Sequence, residues 1–377
     1  MRIRAAHLFV AASALGLAAP GVAASPFQDM QDTGAAAADP RFAIFTPTDT
    51  PIRHRIDYEV WDWALKNIVI SMGPSSRSRP YAQTEPMGTR LRQGHNSRYR
   101  LEGSMVVFSA FDQQTIASFA EYRRDLESVA DTLDISRLPR NEQLAYWLNL
   151  HNVAVMEKIA AEWPVRQPRE ITVDGEPLDE ARFITVRGIA MSLRDIREKI
   201  VYANWRDPKV IYGFWRGEIG GPALEREAFT GANVSSLPDI AADSFVNSLR
   251  GTQKFGSRLD VSELYAEAAP FYFPDFEADL RAHISAYANA EVKEILAETR
   301  AVNASITEHD IADLSGGSRG ASYLASSRPG LPPGAVMLLQ QRQRKLEVQR
   351  REEVPTGRVI FSNIDLPGDP PNKNAVQ

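Results

Sequence analysis

Asn149, His151 and Asn152 stand inside an otherwise apolar run, Asn141-Glu-Gln-Leu-Ala-Tyr-Trp-Leu-Asn-Leu-His-Asn-Val-Ala-Val-Met156. Imidazole is the side chain that trades protons near neutral pH, so His151 is the first candidate for acid–base chemistry. Asparagine is a poor helix former because its amide competes for backbone hydrogen bonds, and two of them in mid-helix mark a local polar requirement. With successive residues about 100° apart, Leu144, Trp147, Leu148, His151, Val155 and Ile159 share one face, with His151 near its centre. Asn149 and Asn152 flank it on the side of Ala145 and Glu142. Glu142 itself lies about opposite His151, and no base or nucleophile is tied to the imidazole by spacing. The residue pattern therefore favours a hydrogen-bonded core histidine, with the asparagines tying loop backbone to the helix.

Other chemistries are narrower still. There is no cysteine, hence no disulfide, thiolate nucleophile or thiolate metal site. His54, His95, His151, His283 and His309 are scattered without His-x-x-x-His spacing, so no metal site and no cofactor are expected. Arg216-Gly-Glu-Ile-Gly-Gly-Pro222 is glycine-rich but lacks the Gly-Lys-Ser/Thr ending of a phosphate loop, and reads as a tight turn. Ser75 to Arg100 carries Arg77, Arg79, Arg90, Arg92, Arg98 and Arg100 against Glu85 alone. Such forks suit an anionic ligand or partner, for instance a cell-envelope polymer, but a solvated loop is the plainer expectation.

The elements that must position these groups follow from periodicity and punctuation. Tyr58, Trp61, Leu65, Ile68 and Met72 define a helix over 56–72, stopped at Gly73-Pro74. Met105–Phe108 is a short strand or a helix entry, and Gln113–Leu133 is an amphipathic helix. Glu170–Gly175 and Arg182–Val186 read as short strands around a glycine turn. Ser192 with Asp195 signals a helix start. Lys209–Trp215 reads as a buried strand, Pro238-Asp239 as a first helical turn, and Glu277–Leu296 as one helix. Beyond about Thr299 the composition turns to Gly, Pro, Gln and Arg, which predicts a weakly packed tail with at most a short helix over 337–353 and a strand at 358–361.

Arg2 and Arg4, the apolar run Leu8–Leu17 and the small residues near Ala24 have the layout of a secretory signal, too short for a membrane anchor. Its removal would make the net charge of −5 more acidic by two, which argues against general nucleic-acid binding. The expected organisation is a signal at 1–24, a flexible leader at 25–50, a helix-rich α+β domain with a small sheet at 51–300, and a linker-like tail at 301–377. The compartment expected is the periplasm or the exterior.

Glu142-Gln-Leu-Ala-Tyr-Trp-Leu-Asn-Leu-His-Asn-Val-Ala154 resembles the signature segment of the domain of unknown function 547 family, with His151 where a tyrosine is usual. Ser192-Leu-Arg-Asp-Ile196, Asp207-Pro-Lys-Val210, Val261-Ser-Glu-Leu-Tyr265 and Phe273-Pro-Asp-Phe276 follow in the family's order, so the resemblance spans about 99–296. It implies a histidine at position 211 and a cysteine at position 221, a pair that by analogy would do thiol chemistry. Here those positions are Ile211 and Gly221. The expectation is a degenerate, non-catalytic binding or scaffolding protein of the cell envelope, with Glu142, Asn149, His151, Asn152, Gly220 and Gly221 lining what remains of a cleft. The alternative is a hydrolase or transferase with relocated groups around His151.

Overall fold

A computed structural model describes residues 39–49, 51–80, 94–319 and 331–351. The expected signal, most of the leader, Arg90, Arg92 and the strand expected at 358–361 lie outside these residues. The end of the leader is packed, not loose. Pro40–Phe45 forms a 3-10 turn capped by Asp39 and buries Phe42 and Phe45. The Phe45 ring meets Trp147 edge-on, with centroids 5.0 Å apart.

Helix α1 (Glu59–Ile68) ends earlier than its apolar period suggests, because Val69–Ser71 continues as strand β1. The β-branched run Ile68-Val69-Ile70 favours extended backbone, and β1 pairs antiparallel with β2 (Ser104–Val106). Helix α2 (Gln113–Thr132) starts at Asp112, whose carboxylate accepts from the Thr115 amide at 2.8 Å. It packs on α3 (Arg140–Glu162), the element at the centre of the molecule. From Gln143 to Met156 every residue of α3 is buried, so this helix has no solvent face and its polar residues must all find partners.

After α3 come two hairpins, β3 (Thr172–Val173) with β4 (Glu176–Pro177), and β5 (Ile184–Val186) with β6 (Ile189–Met191). The two strands expected around Gly175 thus belong to separate hairpins. Asp174-Gly175 and Arg187-Gly188 close them with positive φ at both turn residues, the backbone a two-residue hairpin turn demands. Ser192 and Asp195 exchange side-chain and backbone hydrogen bonds at 3.0 and 3.1 Å, confirming the helix start. The helix that follows is wound as a π-helix over Asp195–Val201.

Lys209–Trp215 is buried as expected but is not a strand. Pro208–Gly213 is a 3-10 helix, started by Pro208 and capped by the Asp207 carboxylate on the Lys209 amide at 3.1 Å. Local capping outweighs the β preference of the apolar run. Helix α4 (Leu237–Val246) begins at the Pro-Asp pair. Strands β7 (Thr252–Phe255) and β8 (Arg258–Ser262) form an antiparallel pair, and α5 (Glu263–Tyr272) starts under the Ser262 hydroxyl. The single helix expected over 277–296 is two, α6 (Phe276–Tyr287) and α7 (Ala290–Glu298), since the Asn289 side chain caps the Val292 amide at 2.9 Å.

The boundary expected near residue 300 also moves. Strand β9 (Ala301–Ile306) lies parallel to β8 and completes a three-stranded sheet. Ile311, Ala312 and Leu314 are buried, and α8 (Pro333–Arg351) buries Ala335 and Leu338 in a second apolar cluster with Met72, Tyr99 and Met105. Lys345 of α8 donates to the carbonyls of Met72 at 3.1 Å and Leu101 at 2.7 Å. Few apolar residues suffice here because sparse anchors are joined by buried polar contacts, which composition does not reveal. The architecture is helix-rich α+β with small, unclosed sheets. Among the described residues, no helix is long and apolar enough to cross a membrane.

Candidate functional site

The residues singled out by sequence fall into three places. Asn149 is fully buried and holds the strap at Phe229 with both ends of its amide, donating to the carbonyl at 2.7 Å and accepting from the amide at 3.1 Å. Glu142 lies beside the same strap and packs where a side chain on Gly231 would sit, 2.2 Å from an ideal Cβ. Asn152 does a similar task elsewhere, donating to the Gly213 carbonyl and accepting from the Trp215 amide, both at 3.0 Å. Gly220 and Gly221 lie in a third place, against the chain segment at Glu308. No common cleft gathers these six residues.

His151 is sealed, with no exposed surface. Its Nε2 lies 3.2 Å from a guanidinium nitrogen of Arg197, and its Nδ1 lies 3.1 Å from Asn152 Oδ1. Arginine can only donate, so Nε2 accepts and the proton sits on Nδ1, donating to Asn152. Burial first, and then the Arg197 charge, push the imidazole down to about 3. A neutral, enclosed ring with both nitrogens engaged is not placed to act as a general base on a substrate, and the roles expected around His151 find no geometry to support them.

Its partner begins a charged chain that leads outward. Arg197, carried on the π-helix and also fully buried, grips both oxygens of Asp179 at 2.7 Å and reaches Glu267 at 3.3 Å. Glu267 in turn takes a bidentate pair from Arg216 at 2.6 Å each. Burial resists the Glu267 charge, but Arg216 and Arg197 outweigh it and hold the carboxyl down at about 2. Arg194 also reaches Asp179, at 3.2 Å from the exposed side, and the two carboxylates match the one fully buried charge, that of Arg197. Arg197 lies within the π-helical stretch, an irregularity often found at functional sites.

One helical turn before Glu267, at the outer end of α5, stands Glu263. There the chain opens onto a second cluster that includes Glu218 and His309. His309 Nδ1 lies 3.2 Å from a Glu218 oxygen and 3.4 Å from a Glu263 oxygen. Arg169 reaches the same two carboxylates at 3.3 and 3.6 Å. The imidazole is about one-fifth exposed, so solvent reaches it. Burial opposes its charge, but the hydrogen bond to Glu218 and the charges of Glu218 and Glu263 raise its pKa above the usual 6.5. Burial likewise raises Glu263.

The backbone that sets this cluster is the glycine turn. Gly217 has φ of +76° and packs so close that a Cβ would meet Ile159 at 2.1 Å. That turn aims Glu218 outward, directly after Arg216 of the buried chain. The amides of Ile219 and Gly220 then bond the carbonyls of Asp310 and Glu308, at 2.9 and 3.1 Å, which places His309 next to the Gly220-Gly221 segment. Beneath it, the buried Arg250 donates to the Gly221 carbonyl at 2.6 Å. An ideal Cβ on Gly221 meets only ordinary contacts, the nearest at 3.6 Å, so the fold does not require glycine there.

Sequence reasoning missed His309 because it placed that residue in a loose tail. Nothing in the spacing links positions 218, 263 and 309. The Ser262–Glu263 helix start and the glycine turn before Glu218 are the only local signals. Chemically, the three groups offer a carboxylate-oriented imidazole. Their ligand atoms also lie within 4.8 Å of one another, so a divalent cation could take the place of the proton on His309, provided Arg169 swings aside.

These features define a helix-rich α+β domain in which a buried arginine–carboxylate network supports a surface His–Glu cluster. The family described as protein of unknown function, DUF547, matches residues 135–246. That segment holds α3, the π-helix, the Asp207–Pro208 turn and the glycine loop, and is narrower than the 99–296 read from the resemblance. It contains no cysteine, as a degenerate variant would not. No curated protein and no solved structure matches the chain.

Proposed function

We propose that this protein is an exported hydrolase or transferase whose acid–base group is His309, oriented by Glu218 and Glu263. The observation that carries the reading is the hydrogen bond from His309 to Glu218 beside the Gly220-Gly221 turn. Where the family resemblance implies a histidine at 211 there is a sealed isoleucine, but His309 supplies an imidazole next to position 221 from a different part of the chain. A carboxylate on Nδ1 fixes the tautomer and leaves Nε2 to exchange a proton with a substrate. In this role His309 removes a proton from a water or hydroxyl as its oxygen bonds to a carbonyl carbon, and returns that proton to the departing group. No residue of this chain need be acylated, which suits a protein without cysteine.

The substrate class we assign is an ester or amide of the cell envelope, resting on the signal-like N-terminus. The test is the pH dependence of turnover by purified protein on an ester and amide panel. The rate should rise through a pKa above 6.5, and Glu218→Gln should shift that limb to lower pH while reducing the maximum. A chelator leaves the rate unchanged if His309 works as a proton carrier, and abolishes it if the cluster holds a cation. A pH profile that Glu218→Gln does not move would contradict the assignment.

A further inference from the structure

A second site lies away from the His–Glu cluster and is independent of it. A cleft of about 510 Å³ is lined by Arg53, His54, Arg55, Arg140, Asn141 and Glu142, with Pro139 and the Gly231-Ala232 turn completing it. Three arginines face one carboxylate in a chain whose net charge is −5. Arg53 and Arg55 make no ion pair or side-chain hydrogen bond among the described residues, and both are exposed on a segment without regular structure. Arg140 is held in place by the Asn204 carbonyl at 2.6 Å and by the Trp205 ring, 5.3 Å from its guanidinium carbon.

The one acid lines the cleft and feels the charge of Arg55, but backbone groups already engage it. Glu142 is buried, its carboxyl accepts hydrogen bonds from the backbone of Ile56 and Gly231, and burial raises its pKa. The cleft also sits at the first turn of α3, which has no side-chain cap, so that the positive end of a long helix adds to the arginines. Guanidinium forks suit oxyanions with several oxygens, and the volume exceeds that of a lone ion.

We infer that this cleft binds a phosphate-bearing small molecule through Arg53, Arg55 and Arg140. The test is calorimetric titration of the full chain at low ionic strength with pyrophosphate, with citrate as the carboxylate comparison, repeated on Arg53→Gln/Arg55→Gln. Both residues are exposed, so an unchanged thermal melt establishes that the double variant folds. The expected result is saturable one-to-one pyrophosphate binding, stronger than citrate, weakened about tenfold or more in the variant. Absence of saturable binding, equal affinity for citrate, or an unchanged affinity in the variant would each overturn the inference.

Discussion

Replacing His151 with glutamine tests whether the imidazole is as enclosed as the structure shows. Glutamine can still accept from Arg197 and has no proton to gain. In the folded protein His151 titrates at about 3, against 6.5 in the unfolded chain. Between those values the unfolded chain holds a proton that the folded one lacks, so stability rises with pH across this window. The contribution is intact above pH 6.5 and is lost progressively as pH falls toward 3. At about 1.4 kcal/mol per unit, lowering the pH to 4.5 costs the wild type about 2.7 kcal/mol through this residue. Urea unfolding at pH 7.5, 6.5, 5.5 and 4.5 should therefore show a steeper loss for the wild type than for His151→Gln, with a gap near that size at the acid end. His283, which burial pushes down to about 4, contributes to both proteins and cancels in the difference. Parallel curves, within about 0.5 kcal/mol, would show that His151 keeps an ordinary pKa and is not sealed.

Gly217→Ala should destabilise the protein by about 2–4 kcal/mol in thermal or urea melts, from the left-handed backbone and the collision with Ile159 together. In an NMR titration of the imidazole signals, His309 should titrate above 6.5 in the wild type and at lower pH in Glu218→Gln, since the largest group raising it is gone. Phe45→Ala should cost about 3–5 kcal/mol, measured by urea unfolding. A leader that did not pack on Trp147 would leave stability unchanged.

Sequence alone made the central helix legible because its apolar density and the prolines that bound it, Pro139 and Pro164, are local properties. The same holds for the Ser192–Asp195 start. Of the two readings it gave Asn149 and Asn152, ties to loop backbone and lining of a cleft, the hydrogen bonds show the first. What it missed depends on long-range meetings. Arg197 sits on a π-helix that no spacing announced. Val69-Ile70-Ser71 left the expected helix for a strand that pairs with Ser104–Val106. The arginine loop read as solvated in fact contains Arg77, whose side chain is nearly buried and bonds Glu291 at 2.7 Å and the Thr252 carbonyl at 3.1 Å. The His–Glu cluster joins positions from three distant segments, and its histidine sat in a stretch whose composition suggested a linker.

The most direct test of the assignment compares ester and amide turnover by the wild type, His309→Gln and His151→Gln under one set of conditions. The account predicts a loss of about a hundredfold or more in His309→Gln, with its fold intact, and activity within a few-fold of wild type in His151→Gln. Turnover that survives His309→Gln, or a folded wild type that turns over nothing on the panel, would contradict it.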